Sequence, residues 1–238
     1  MTKTLVLFDV DGTLVDTGGA GRAGLLRSFR DVFGVPDIEA RAAEVGLDGK
    51  TDPTIIAEIA LAAGLAHDAI EARYAEFQRT YVAALRHELA REDRADKRRV
   101  LPGVRTLLDA LHPRPGTWLG LVTGNIEDGA RAKLATFDLN RFFPDGGFSS
   151  DHPDRVEIAR IAHERLCRRA AVRFAPERVA VVGDTELDVA CARANGFRAV
   201  AVASGRVDRE RLAAAGADAV LSDLSDLDEV MRALALSS

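Results

Sequence analysis

Short runs of consecutive apolar residues recur along the chain, each stopped by an acidic or turn-forming residue. Residues 5–8 form the first, closed by Asp9. Residues 118–122, 179–182 and 199–202 follow much later, with 219–221 as a shorter fifth. A continuous apolar run bounded by turns predicts a strand buried on both faces; a strand with one wet face would alternate. Between the runs, residues 104–111, 128–137, 156–166, 187–194 and 209–215 carry helical spacing. Strands alternating with helices predict a parallel sheet covered on both sides, whose ligand lies at the carboxyl ends of the strands.

Residues 19–99 break this rhythm. Segments 23–33, 55–63 and 69–89 repeat with helical periodicity, and no strand pattern separates them. An inserted helical domain is therefore expected at 18–99, with the α/β core built from 1–17 and 100–238. Gly18 and Gly19 on one side and Leu101, Pro102 and Gly103 on the other suit the two joints. The basic cluster Lys97, Arg98 and Arg99 is expected to be a solvated linker face.

The polar residues at the strand ends carry the chemistry. Displacing a phosphate ester needs a nucleophile, cancellation of charge on the phosphoryl oxygens and a proton for the departing alkoxide. A carboxylate can serve as the nucleophile, and a hard, oxygen-seeking cation then lets two anions meet. Asp9 and Asp11, two residues apart in an extended segment, share one side and can flank one phosphoryl group.

Asp9, Val10, Asp11, Gly12, Thr13, Leu14, Val15, Asp16 and Thr17, placed directly after the first apolar run, resemble the opening motif of the haloacid dehalogenase-like (HAD) superfamily. The remaining family motifs recur in order along essentially the whole chain. The resemblance implies a Rossmann-like α/β core with an inserted helical cap domain, and a phosphatase that uses Mg2+. It implies Asp9 as nucleophile and Asp11 as general acid and later base, with Gly12 allowing the tight loop and Thr13 orienting it. Thr123, Gly124 and Asn125 resemble the second motif, implying phosphate donors from the Thr123 hydroxyl and the backbone N–H groups of Gly124 and Asn125. The third motif is a single Lys or Arg. None of the four lysines, Lys3, Lys50, Lys97 and Lys133, falls in the expected interval, so Arg155 takes that role, with Arg160 less well placed. Gly183, Asp184, Thr185, Glu186, Leu187 and Asp188 resemble the fourth motif. There Asp184 is implied as a metal ligand with Asp9 and the Asp11 backbone carbonyl, and Asp188 as a support for the metal or Arg155. Lys50 lies where capped relatives check the substrate, while Asp52 and Pro53 also fit a plain helix start at the N-cap and first helical position. His152 reads as a loop histidine.

Composition narrows the partners. A net charge of −5 over 238 residues, with 47% hydrophobic and 29% charged, fits an ordinary globular protein without general attraction to nucleic acid or acidic membranes. The opening apolar run is too short for a signal peptide or a membrane span, so a cytoplasmic location is expected. Cys167 and Cys191 lack zinc-site or redox spacing and are expected to be small core residues. The expected partner is a small phosphorylated metabolite, and the expected state a monomer or small homo-oligomer. Asp11 argues against a dehalogenase or phosphonatase, whose branches lack a second aspartate; a phosphomutase of the beta-phosphoglucomutase type or a non-catalytic binding protein remain the alternatives to hydrolysis.

Overall fold

In the computed structural model, which describes residues 3–43, 45–47 and 49–236, the first apolar run becomes β1 (Thr4–Phe8), buried along its whole length. The chain leaves through a two-residue strand, β2 (Val15–Asp16), into four helices: α1 (Ala20–Phe33), α2 (Ile38–Ala43), α3 (Asp52–Ala62) and the long α4 (His67–Ala90). It returns through β3 (Arg99–Val100), which pairs antiparallel with β2 so that Val15 faces Val100 and Asp16 faces Arg99. Helices and strands then alternate: α5 (Val104–Leu111), β4 (Thr117–Val122), α6 (Glu127–Ala135), β5 (Gly146–Gly147), α7 (Arg155–Ala170) and β6 (Val179–Gly183). The last third adds α8 (Glu186–Ala194), β7 (Arg198–Val202), α9 (Arg209–Ala214), β8 (Ala219–Leu221) and α10 (Leu227–Ala233).

Six strands form one parallel sheet in the order β5-β4-β1-β6-β7-β8. Because successive side chains point to opposite faces, the sheet feeds two cores. Leu5, Leu7, Val181 and Ala201 pack with Ile158 and Leu166 of α7, Val189 of α8 and Leu212 of α9. Val6, Phe8, Val182 and Val202 pack on the other side with Leu107 and Leu111 of α5, Leu134 of α6 and Val230 of α10. A sheet buried this way needs apolar residues at consecutive positions, which is the pattern the sequence carries.

The helices α1–α4 bury a third cluster of their own. Leu25, Phe29, Ile38, Ile56, Ile59, Phe77 and Leu85 meet there, with Phe29 and Phe77 edge to face at 4.8 Å. Ile126, from the loop before α6, joins this cluster, and Ala132 of α6 packs against it.

Three expectations need correction. Helix α3 begins at Asp52 with Thr51 as its cap, so Asp52 and Pro53 sit one position deeper than the sequence suggests. Cys191 is buried, but Cys167 is only partly so. Arg98 is half-buried and donates to the Arg91 carbonyl at 2.9 Å, so the basic cluster is not wholly a solvated linker, although Arg99, in β3 and paired with Asp16 at 3.2 Å, stays exposed. Among the described residues no helix is long and apolar enough to cross a membrane.

Candidate active site

Three of the expected residues stand one step beyond a parallel strand. Asp9 follows β1, Thr123 follows β4 and Asp184 follows β6. Backbone hydrogen bonds carry the sheet ladder past the strand ends, from Asp9 N to the Val182 carbonyl at 2.9 Å and from Thr123 N to the Gly147 carbonyl at 3.1 Å. The rigid sheet thus fixes where these side chains start. Arg155 reaches the same point as the first residue of α7, and Asp188 comes from the first turn of α8.

The acids crowd together. Carboxylate oxygens of Asp9, Asp184 and Asp188 all lie within 4.8 Å of one another, and all three residues are buried. Burial raises the Asp9 pKa to about 6; Arg155 pulls it back, while Asp188 and Asp11 push it further up. Burial, followed by the charges of Asp188 and Asp9, raises Asp184 to about 8, against a lowering hydrogen bond from Thr13. That bond runs from Thr13 Oγ1 to Asp184 Oδ1 at 3.2 Å, so Thr13 orients the fourth motif. Gly12, at φ +77°, closes the loop beneath it; a Cβ there would lie 2.2 Å from Asp184 Oδ2.

Arg155 is the cation among these acids. Its Nη2 contacts Asp9 Oδ1 at 3.0 Å and Asp188 Oδ1, and its Nη1 donates to the Gly49 carbonyl at 3.0 Å. Burial opposes its charge, but Asp188 and Asp9 more than offset this and hold its pKa above the usual value. Its buried Nε has no hydrogen-bond partner among the described residues. Asp188 also holds its own helix: its Oδ2 accepts from the Thr185 backbone N–H and hydroxyl, at 3.0 and 2.6 Å, in a capping box that starts α8. Arg160 is exposed and pairs with Glu157 and Glu164, away from the site. His152 stays in the loop, where its Nδ1 accepts from Asp154 N at 3.0 Å.

Asp11 faces elsewhere. Its carboxylate is not in the acid trio; Oδ2 accepts from Lys133 Nζ at 2.5 Å and from Asn125 Nδ2 at 2.8 Å. Asn125 also donates through Nδ2 to Thr123 Oγ1 at 2.8 Å, and its backbone N–H points to the same hydroxyl at 3.3 Å rather than standing open as the second motif implied.

Lys133 and Asp52 did not stand out in the sequence. Lys133 lies on α6, beyond the second motif and outside the interval where a motif cation is expected. Asp52 has the ordinary sequence look of a helix start; in the fold it is buried, accepts from the Ile126 N–H at 2.9 Å and donates its own N–H to the Gly124 carbonyl at 2.7 Å. Burial raises its pKa to about 6 despite the nearby Lys133. The segment holding Gly49, Lys50, Thr51 and Asp52 thus touches the motif loops at several points, since Thr51 Oγ1 also donates to the Pro153 carbonyl at 2.9 Å. Lys50 pairs with Glu58 at 2.6 Å; Asp48, in the same stretch, lies outside the described residues. A cavity of about 400 Å³ opens between this segment, α1, α4 and the strand ends, lined by Asp9, Asp11, Lys50, Thr123, Lys133 and Arg155 among others.

This arrangement has counterparts. A model of the haloacid dehalogenase-like hydrolases matches residues 3–196. The phosphoglycolate phosphatase of Chromobacterium violaceum is 31% identical over 235 residues, covering 95% of this chain and 96% of the relative. The phosphoglycolate phosphatase of Cereibacter sphaeroides is 32% identical over 198 residues, 81% of this chain and 82% of the relative. Solved structures share the fold: a haloacid dehalogenase-like hydrolase from Streptococcus pneumoniae has a TM-score of 0.67 at 21% identity, covering 96% of this chain and 98% of its own. CbbY from Rhodobacter sphaeroides, crystallised with phosphate, has 0.68 at 21%, covering 95% and 96%. With the family's motif residues gathered at the strand ends and relatives this similar along its length, the chain belongs to the haloacid dehalogenase-like hydrolases and is a phosphatase of that family.

Proposed function

We propose that the chain hydrolyses a small phosphomonoester through an aspartyl-phosphate on Asp9, with Mg2+ as cofactor and residues 18–99 as a cap over the site. The observation that carries this reading is the buried trio Asp9, Asp184 and Asp188 with a single guanidinium, Arg155, set among them.

The donor set fits magnesium. Three buried carboxylates face one buried cation; burial first, and then the neighbouring acids, raise the pKa values of Asp9 and Asp184. Magnesium takes hard oxygen ligands, often one or two carboxylates with substrate phosphate completing its shell. Asp9, Asp184 and the Asp11 backbone carbonyl would hold it, and when bound it supplies the positive charge that lets the Asp9 carboxylate approach an anionic phosphoryl group.

The remaining steps belong to the chain's own residues. An Asp9 carboxylate oxygen bonds to phosphorus while the ester P–O bond breaks, and the leaving oxygen takes a proton from Asp11. Water then attacks phosphorus, gives its proton to the Asp11 carboxylate and releases orthophosphate, which restores Asp9. Thr123 Oγ1, the Gly124 N–H and the Arg155 guanidinium hold the phosphoryl oxygens. Asp188 keeps Arg155 in place.

A cavity of about 400 Å³ suits a small metabolite, in keeping with relatives named phosphoglycolate phosphatases. The separate hydrophobic cluster of α1–α4 supports a cap that folds on its own core, and Lys50 lies on the cavity wall for an anionic substrate. A cytoplasmic setting is in keeping with two free cysteines. Phosphate release from a panel of phosphorylated metabolites tests the reading: release should require Mg2+, stop with EDTA and vanish in Asp9→Asn while the fold persists. Turnover that ignores the chelator, or survives Asp9→Asn, would overturn it.

A further inference from the structure

Lys133 is a buried ammonium contributed by none of the strand-end motifs. It is 4% exposed and lies on α6, on the cavity wall. Taking such a charge out of water is costly unless partners recover it. Here the partners form a closed ring. Lys133 Nζ donates to Asp11 Oδ2 at 2.5 Å and to Asn125 Oδ1 at 2.6 Å, and Asn125 Nδ2 donates to the same Asp11 oxygen at 2.8 Å.

The ring grips Asp11 asymmetrically. Both donors converge on Oδ2, and turning the carboxylate about its Cβ–Cγ bond would break two charge-assisted hydrogen bonds at once. No described residue donates to Oδ1. The Asp11 side chain is 43% exposed, so this second oxygen is the one left to the cavity. An aspartate on a loop is free to sample rotamers; this one is held at the price of a buried lysine.

We infer that Lys133 is a positioning residue for the proton transfer: by fixing Asp11 Oδ2 it presents Oδ1 to the leaving oxygen of the phosphoester. When that oxygen takes the proton from Asp11, the carboxylate charge forms beside an ammonium already in place. The inference rests on the hydrolytic reading above and adds to it a residue that acts through Asp11 and touches no reacting atom.

Its signature is sensitivity to the leaving group. An alkoxide needs the proton as the P–O bond breaks, whereas 4-nitrophenolate departs without one. Steady-state kinetics of Lys133→Met with 2-phosphoglycolate and with 4-nitrophenyl phosphate, both with Mg2+, should show the alkyl-to-aryl ratio of kcat/KM falling roughly 10- to 100-fold. Lys133→Arg, which keeps the charge, should recover part of that ratio and serves as the readout if the methionine variant does not fold. In an Asp11→Asn background, Lys133→Met should change the ratio no further, because the two act as a unit. Equal losses on both esters, or a full additional effect in Asp11→Asn, would overturn the inference and assign Lys133 to the fold or to substrate binding. Absence of phosphate release from either ester by the unaltered protein would instead remove the hydrolytic reading, and this inference with it.

Discussion

Asp52 shows how a single residue joins function to stability. The residue is 8% exposed, its carboxylate accepts one backbone hydrogen bond, and burial raises its pKa from 3.8 to about 6. Between those values the folded chain keeps a proton that the unfolded chain has released. The stability Asp52 contributes is therefore complete below pH 3.8 and is lost as pH rises through about 6. Asparagine at this position still offers an oxygen to the Ile126 N–H but carries no charge. Thermal unfolding of Asp52→Asn beside the unaltered protein should show the variant gaining relative stability from about pH 4 to 6 and holding it above. The gain should be on the order of 2–3 kcal/mol. A difference independent of pH would mean that the buried charge is compensated elsewhere. Nothing in the sequence marks this aspartate beyond its place before a proline, because its burial comes from a loop 74 residues away.

At the level of elements, the segment ahead of α3 is one contact between the helical insertion and the motif loops. Its approach depends on Gly124: a Cβ there would lie 2.5 Å from the Lys50 carbonyl oxygen and 3.0 Å from Thr51 Cα, both backbone atoms. Gly124→Ala should push the segment away and lower kcat/KM for hydrolysis roughly 10- to 100-fold with little loss of thermal stability, since misplacing a site by about 1 Å costs that much. Unchanged kinetics would show that the segment need not seat so closely. The buried strands of the core were legible because burial on both faces forces consecutive apolar residues. Strands β2, β3 and β5 were not, since two residues are too few for any period and β5 consists of glycines. The ribbon of β2 and β3 is set by the pairing of Val15 with Val100, a contact that no local window contains.

For the whole molecule, a chain of net charge −5 sets Arg22, Lys50, Arg99, Lys133, Arg155 and Arg206 beside Asp9, Asp11, Asp16, Asp52 and Asp184 around one cavity, so that local cations offset the acidic charge there. The strand-end acids were legible because their chemistry requires fixed spacing after a strand. Lys133 was not, because its partner Asp11 lies 122 residues away and only the packing of α6 on the sheet brings them together. In the proposed function, hydrolysis, cofactor and proton transfer all turn on covalent chemistry at one carboxylate. Rapid acid quenching of turnover with 32P-labelled substrate, followed by peptide mapping, reads it directly. A transient phosphoryl group on Asp9 should appear and decay as orthophosphate forms. Orthophosphate released with no label on the protein, or with the label on another residue, would contradict the covalent role of Asp9.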